Sequence, residues 1–119
     1  MTKELEQKEL PIQFSFIEKA EKLILNWTIE NKIILKKIEH IVPFILSDKS
    51  LSVWFFFDNE ITKNNYEKNG TNESVKTKYL EILKTLNYPS EYLREVTFEI
   101  DTDENVTKNY EGSYFYRLR

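Results

Sequence analysis

The sequence predicts an α+β domain in which one antiparallel sheet of about four strands carries helices on one face, in the order α-β-β-α-β-β. Three observations predict it. Apolar residues recur at helical spacing over residues 12–38 and 73–86. Two apolar runs flank a polar turn over 44–58. A period-2 alternation governs 93–101.

Pro11 suits the first turn of a helix. Ile17, Ala20, Ile24 and Trp27 lie on one helical face, and Ile34, Ile38 and Ile41 extend the stripe, with a break expected near 26–28. Pro43 closes this pattern. In FILSDKSLSVWFFFD, residues 44–58, the turn SDKS separates two apolar runs and predicts a β-hairpin. Its second strand has Leu51, Val53, Phe55 and Phe57 on one face and Trp54 and Phe56 on the other. A strand apolar on both faces is central, or offers one face to a partner.

A short helix is expected over 61–68, stopped at Asn69–Gly70. The next helix, 73–86, carries Val75, Tyr79, Ile82, Leu83 and Leu86 as its apolar stripe and takes a cap from Thr71 or Asn72. In LREVTFEID, Val96, Phe98 and Ile100 alternate with Glu95, Thr97, Glu99 and Asp101, as in a sheet with one wet face. DTDEN is expected to be a turn into a last strand over 105–118, bent at Gly112, that pairs with 93–101. Its arginines would answer Glu95 and Glu99 across the sheet.

The chain has 119 residues, 40% hydrophobic and 14% aromatic, which fits one domain, residues 1–119, with a sizeable core. The first nine residues lack an apolar pattern and are expected to be disordered. There is no cysteine, and hence no disulfide, thiolate metal site or thiol nucleophile. No apolar run approaches the roughly 18 residues that span a bilayer, and the N-terminus lacks a basic-then-apolar leader. The chain is therefore expected to be soluble and cytoplasmic, with no membrane partner. A net charge of −3 argues against a nucleic-acid partner, which calls for a clustered basic face.

Catalytic signatures are lacking. Two glycines make no phosphate loop, and His40, the single histidine, sits at the expected end of a helix among isoleucines and valine. DTDEN lacks the glycine and distal glutamate of a calcium loop. No cofactor and no metal are expected, and the chain is read as a non-enzymatic interaction protein. A small enzyme using carboxylates or His40, or a generic regulatory subunit, stand as the alternatives. Residues 95–107 hold five acidic residues and no basic one, and Asp58 and Glu60 end the earlier hairpin. The expected partner-binding residues are Asp58, Glu60, Glu99, Asp101, Asp103 and Glu104, with Trp54 as an aromatic anchor, facing a basic partner.

The stretch from LSVWFFFDNE through EYLREVTFEIDTDENVTKNYEGSYFYRLR resembles small bacterial immunity proteins, which neutralise polymorphic or contact-dependent growth-inhibition toxins. The likeness lies in small size, an acidic α+β domain, an aromatic hairpin and a late VTFEIDTDENV strand and turn. The resemblance implies a cytoplasmic inhibitor that binds the basic effector domain of a cognate toxin, commonly a nuclease, and blocks its active site.

Overall fold

The computed structural model describes residues 14–42 and 51–118. Helix α1, Phe14–Glu30, carries Ala20, Ile24 and Thr28 inward. It stops because Lys32 adopts a left-handed φ of 56°, and Ile33 N–H reaches back 2.8 Å to the Thr28 carbonyl. The helix expected to run on to residue 38 is thus cut short, and Lys37–Ile41 is strand β1. Its β-branched, alternating KIEHI fits a strand, and tertiary pairing decides between the two periods.

Strand β2, Leu51–Phe57, is central. It pairs antiparallel with β1, Ile38 opposite Phe55 and His40 opposite Val53. The expected hairpin partner at 44–46 and the turn SDKS lie outside the described residues, as do residues 1–9.

Helices α2 (Glu60–Lys68), α3 (Thr71–Thr85) and α4 (Ser90–Leu93) come next. Asn59 caps α2, its side-chain oxygen accepting from Thr62 N–H at 2.9 Å. Gly70, at φ +85°, turns the chain between α2 and α3, and it, not Thr71 or Asn72, holds the cap position of α3. These helices carry the chain back along the sheet, so β3, Val96–Thr102, enters parallel to β2.

The α+β class holds. The sheet among the described residues is three-stranded and mixed, in the order β1-β2-β3. No strand forms over 105–118. Thr102, its hydroxyl accepting from Asn105 N–H at 3.0 Å, caps helix α5, Asp103–Asn109, with Asp103 and Glu104 in the favoured acidic first turn. The chain then passes Glu111 and Gly112, both at positive φ, into the short helix α6, Tyr114–Leu118.

The register gives the sheet two faces. Leu51, Val53, Phe55, Ile38, Phe98 and Ile100 face α1 and α3 and join Ile24, Val75, Tyr79, Ile82 and Leu83 in the core. Val96, Phe98 and Ile100 point to the helices as their alternation implies, but remain half-buried because β3 is an edge. Lys37, Glu39, Ile41, Ser52, Trp54, Phe56, Thr97, Glu99 and Asp101 form the second face. There α6 lays Tyr114 edge-on against Phe56, ring centroids 4.7 Å apart.

Candidate functional site

Parallel pairing sets the C-terminal ends of β2 and β3 side by side, with Phe57 opposite Thr102. The segments that leave the two strands therefore meet, Asp58, Asn59 and Glu60 from β2 with Asp103 and Glu104 from β3. Two helix starts interlock there. Glu104 N–H donates to the Asp58 carbonyl at 3.0 Å, Glu60 N–H donates to Glu104 Oε1 at 2.9 Å, and the Thr102 hydroxyl donates to Glu60 Oε2. The unpaired N–H groups at a helix start favour negative charge, which lets these carboxylates crowd together. Lys63 offsets Glu60 only loosely, at 3.7 Å. Beside them opens a cleft of about 430 Å³, lined by Asn59, Glu60, Ile61, Glu104, Asn105, Lys108 and Asn109. Ile61 at its rim is 74% exposed, an apolar contact point amid the acids.

Asp58, Glu60, Asp103 and Glu104 are thus brought together, although by parallel strands and not by the expected antiparallel sheet. Asp101 stands apart: it lies on the second sheet face, where α6 meets it, and is 4% exposed. Asn105 Nδ2 donates to both its oxygens, at 3.1 and 3.0 Å, Thr102 N–H donates to Oδ1, and Arg117 Nε closes an ion pair. Asp103 accepts from the Tyr114 hydroxyl. Burial first, and then this hydrogen bond to a carboxylate, raise the Tyr114 pKa above its ordinary value. The arginine expected to answer Glu95 or Glu99 answers Asp101 instead, and two of the acids fasten the C-terminal helix.

Trp54 is half-buried on the second face, stacked on Phe56 with centroids 6.0 Å apart and planes at 16°. The Arg117 guanidinium lies 4.7 Å from its ring centroid and 5.2 Å from that of Tyr110. Glu99, exposed, stands directly across from Trp54 on β3, and Glu39 stands across from it on β1. Glu39, Ile61, Lys108 and Arg117 escape the sequence reading. Helical spacing hid Glu39 inside a presumed helix. Arg117 is visible as a late cation, but the expected strand assigns it to Glu95 or Glu99 and not to Asp101.

His40 lies on the core side of β1, its Nε2 2.7 Å from the Tyr79 hydroxyl. Burial lowers its pKa from 6.5 to about 4 and raises that of Tyr79, whose hydroxyl faces Tyr88 and Glu21 electrostatically as well. A cleft of about 370 Å³ lies alongside, bordered by Glu21, Lys36, Lys37, Glu39 and His40. There Glu21 is raised by burial and by Glu39, against the pull of Lys37. The His40–Tyr79 pair is neutral at pH 7 and links β1 to α3. Its consequence is a pH dependence of stability. The unfolded chain protonates His40 below about 6.5 while the folded chain keeps it neutral to about 4, so stability present at pH 7 is lost as pH falls through that window. Urea unfolding at pH 7 and pH 4.5 is expected to show the wild type losing about 2 kcal/mol more than His40→Gln over that interval. Equal losses would mean that His40 is solvated.

Among the described residues, no group of three or more histidine, aspartate or glutamate side chains is placed to hold a metal ion. None of the described helices is long and apolar enough to cross a membrane. Comparison with protein-family models, curated proteins and solved structures finds no match to this chain.

Proposed function

We propose that this chain is a non-enzymatic binding protein of the immunity type, which docks on the basic effector domain of a cognate bacterial toxin in the cytoplasm and blocks entry of its substrate. The observation that carries the reading is the strand-end surface where Glu60 and Glu104 line an open cleft, with Asp58 and Asp103 at the same strand ends and Ile61 exposed at the rim. A carboxylate cluster held by helix starts imitates the anionic groups that a nuclease cleft attracts, and it steers a basic partner at long range. The exposed Ile61 and the half-buried Trp54 supply apolar anchors of the kind that give an interface its affinity. Glu99 adds a further charge on the second sheet face. Asp101 contributes through the fold, by holding Arg117 and the helix that frames Trp54.

The test is protection. Co-expression with the effector domain of the toxin encoded beside this gene is expected to restore growth of a host that the effector alone arrests. Unrelieved arrest at equal levels of folded chain would end the proposal.

A further inference from the structure

The second face of the sheet has two halves. Helix α6 covers the half around Phe56. Beyond it the register sets Glu39, Trp54 and Glu99 in one cross-strand row, and Ile41, Ser52 and Thr97 in the next. Directly opposed side chains on neighbouring strands stand roughly 5 Å apart, so the indole has a carboxylate on either side. Thr97, Glu99 and Asp101 alternate onto this face of β3, and of the two acids only Asp101 has a cation among the described residues. Glu39 holds Lys37 at 3.3 Å, an exposed pair that gives way easily. Ile41, 41% exposed, and the exposed Thr97 offer a bed for an aliphatic stem.

The chain itself displays the cation chemistry that suits this face. Arg117 stacks its guanidinium over Trp54 while its Nε binds the carboxylate of Asp101, one register step along β3 from Glu99. A planar guanidinium can stack on a ring and fork onto a carboxylate at once, which a compact ammonium cannot. One such site is filled from within, and the same indole has two further carboxylates, Glu39 and Glu99, directly across from it.

We propose that the row Glu39–Trp54–Glu99 is a receptor for an arginine side chain of a basic partner protein. The arginine seats beside Arg117, against what Arg117 and Phe56 leave open of the half-buried indole, with its N–H groups on Glu39 and Glu99. Charge complementarity names the occupant: the row has more carboxylates than cations, and its ring already accepts a guanidinium. The proposal draws on the function proposed above only for the basic character of the partner, and its test uses a peptide in place of a toxin.

The experiment monitors the indole N–H signals of Trp54 and Trp27 by NMR in the full chain. A short neutral-capped peptide with one arginine is titrated in, and its lysine counterpart serves as the comparison. The arginine peptide is expected to shift Trp54 and leave Trp27 still, in the millimolar range, and to bind several-fold more tightly than the lysine peptide. Glu39→Gln with Glu99→Gln, both on exposed or half-exposed positions, is expected to weaken arginine binding about tenfold, through loss of two charge-assisted contacts. Equal response to both peptides, an unaltered response in the folded double variant, or a Trp54 signal that stays still would each overturn the proposal. A positive peptide result with no protection from toxin would remove the immunity reading alone. Protection with a silent Trp54 would remove the arginine receptor alone.

Discussion

Phe55→Ala is expected to lower the free energy of unfolding by about 4 kcal/mol. Phe55 is fully buried in the central strand, opposite Ile38 on one side and Ile100 on the other. Its ring stacks on Phe98 at 5.7 Å and meets Tyr79 edge-on at 5.9 Å, while Tyr79 and Phe98 meet each other at 6.0 Å. Truncation removes one member of this mutually packed aromatic triad and leaves a cavity walled by both neighbouring strands and α3, which cannot collapse without breaking the sheet. A domain of ordinary stability holds about 5–15 kcal/mol, so the variant approaches the edge of folding. Urea unfolding checks it: the midpoint should fall sharply with little change of slope. A loss under about 1 kcal/mol would mean that β2 is not the centre of the sheet.

Arg117→Ala is expected to cost about 3 kcal/mol. The reason is less the ion pair gained than the charge left behind. Asp101 is 4% exposed, and without Arg117 it keeps only the amide donors of Asn105 and Thr102. The 25% exposure of the arginine side chain holds the figure at the low end of what broken buried pairs cost. The cation contacts to Trp54 and Tyr110 are lost with it. In an Asp101→Asn background the same truncation should cost about 1 kcal/mol, since no buried charge is then abandoned. A double-mutant cycle between Arg117 and Glu99 should show coupling near zero. Strong coupling to Glu99 and none to Asp101 would restore a C-terminal strand paired on β3.

Local order is legible in this sequence, and order set by distant contacts is not. The helices at 60–68 and 71–85 and the alternation of β3 were legible because each rests on local periodicity and nearby caps. Strand β1 was not, because Ile34, Ile38 and Ile41 also fit helical spacing, and only the left-handed Lys32 and pairing with β2 exclude a helix. Parallel entry of β3 has a sequence sign: about forty residues of helical pattern between two strands suit a crossover connection, against the antiparallel sheet expected above. Thr102 with Asp103 and Glu104 directly after it likewise carries the signature of a helix start. The acids after β2 and β3 were recognised as one group, but the group depends on strand direction, which composition does not encode. The burial of Asp101 rests on a contact sixteen residues along the chain to Arg117, and no local pattern announces it.

Association with the effector domain of the proposed cognate toxin, measured at low and high salt, tests the central claim most directly. The acidic strand-end surface should make association fast at low salt and markedly slower as salt screens the charges. Glu60→Lys with Glu104→Lys should slow it about tenfold or more at low salt, and much less at high salt. One reversed rim charge alone should change little, since an exposed pair is worth about 0–1 kcal/mol. Association that is indifferent to salt, and unchanged in a folded Glu60→Lys, Glu104→Lys chain, would contradict this surface as the docking site.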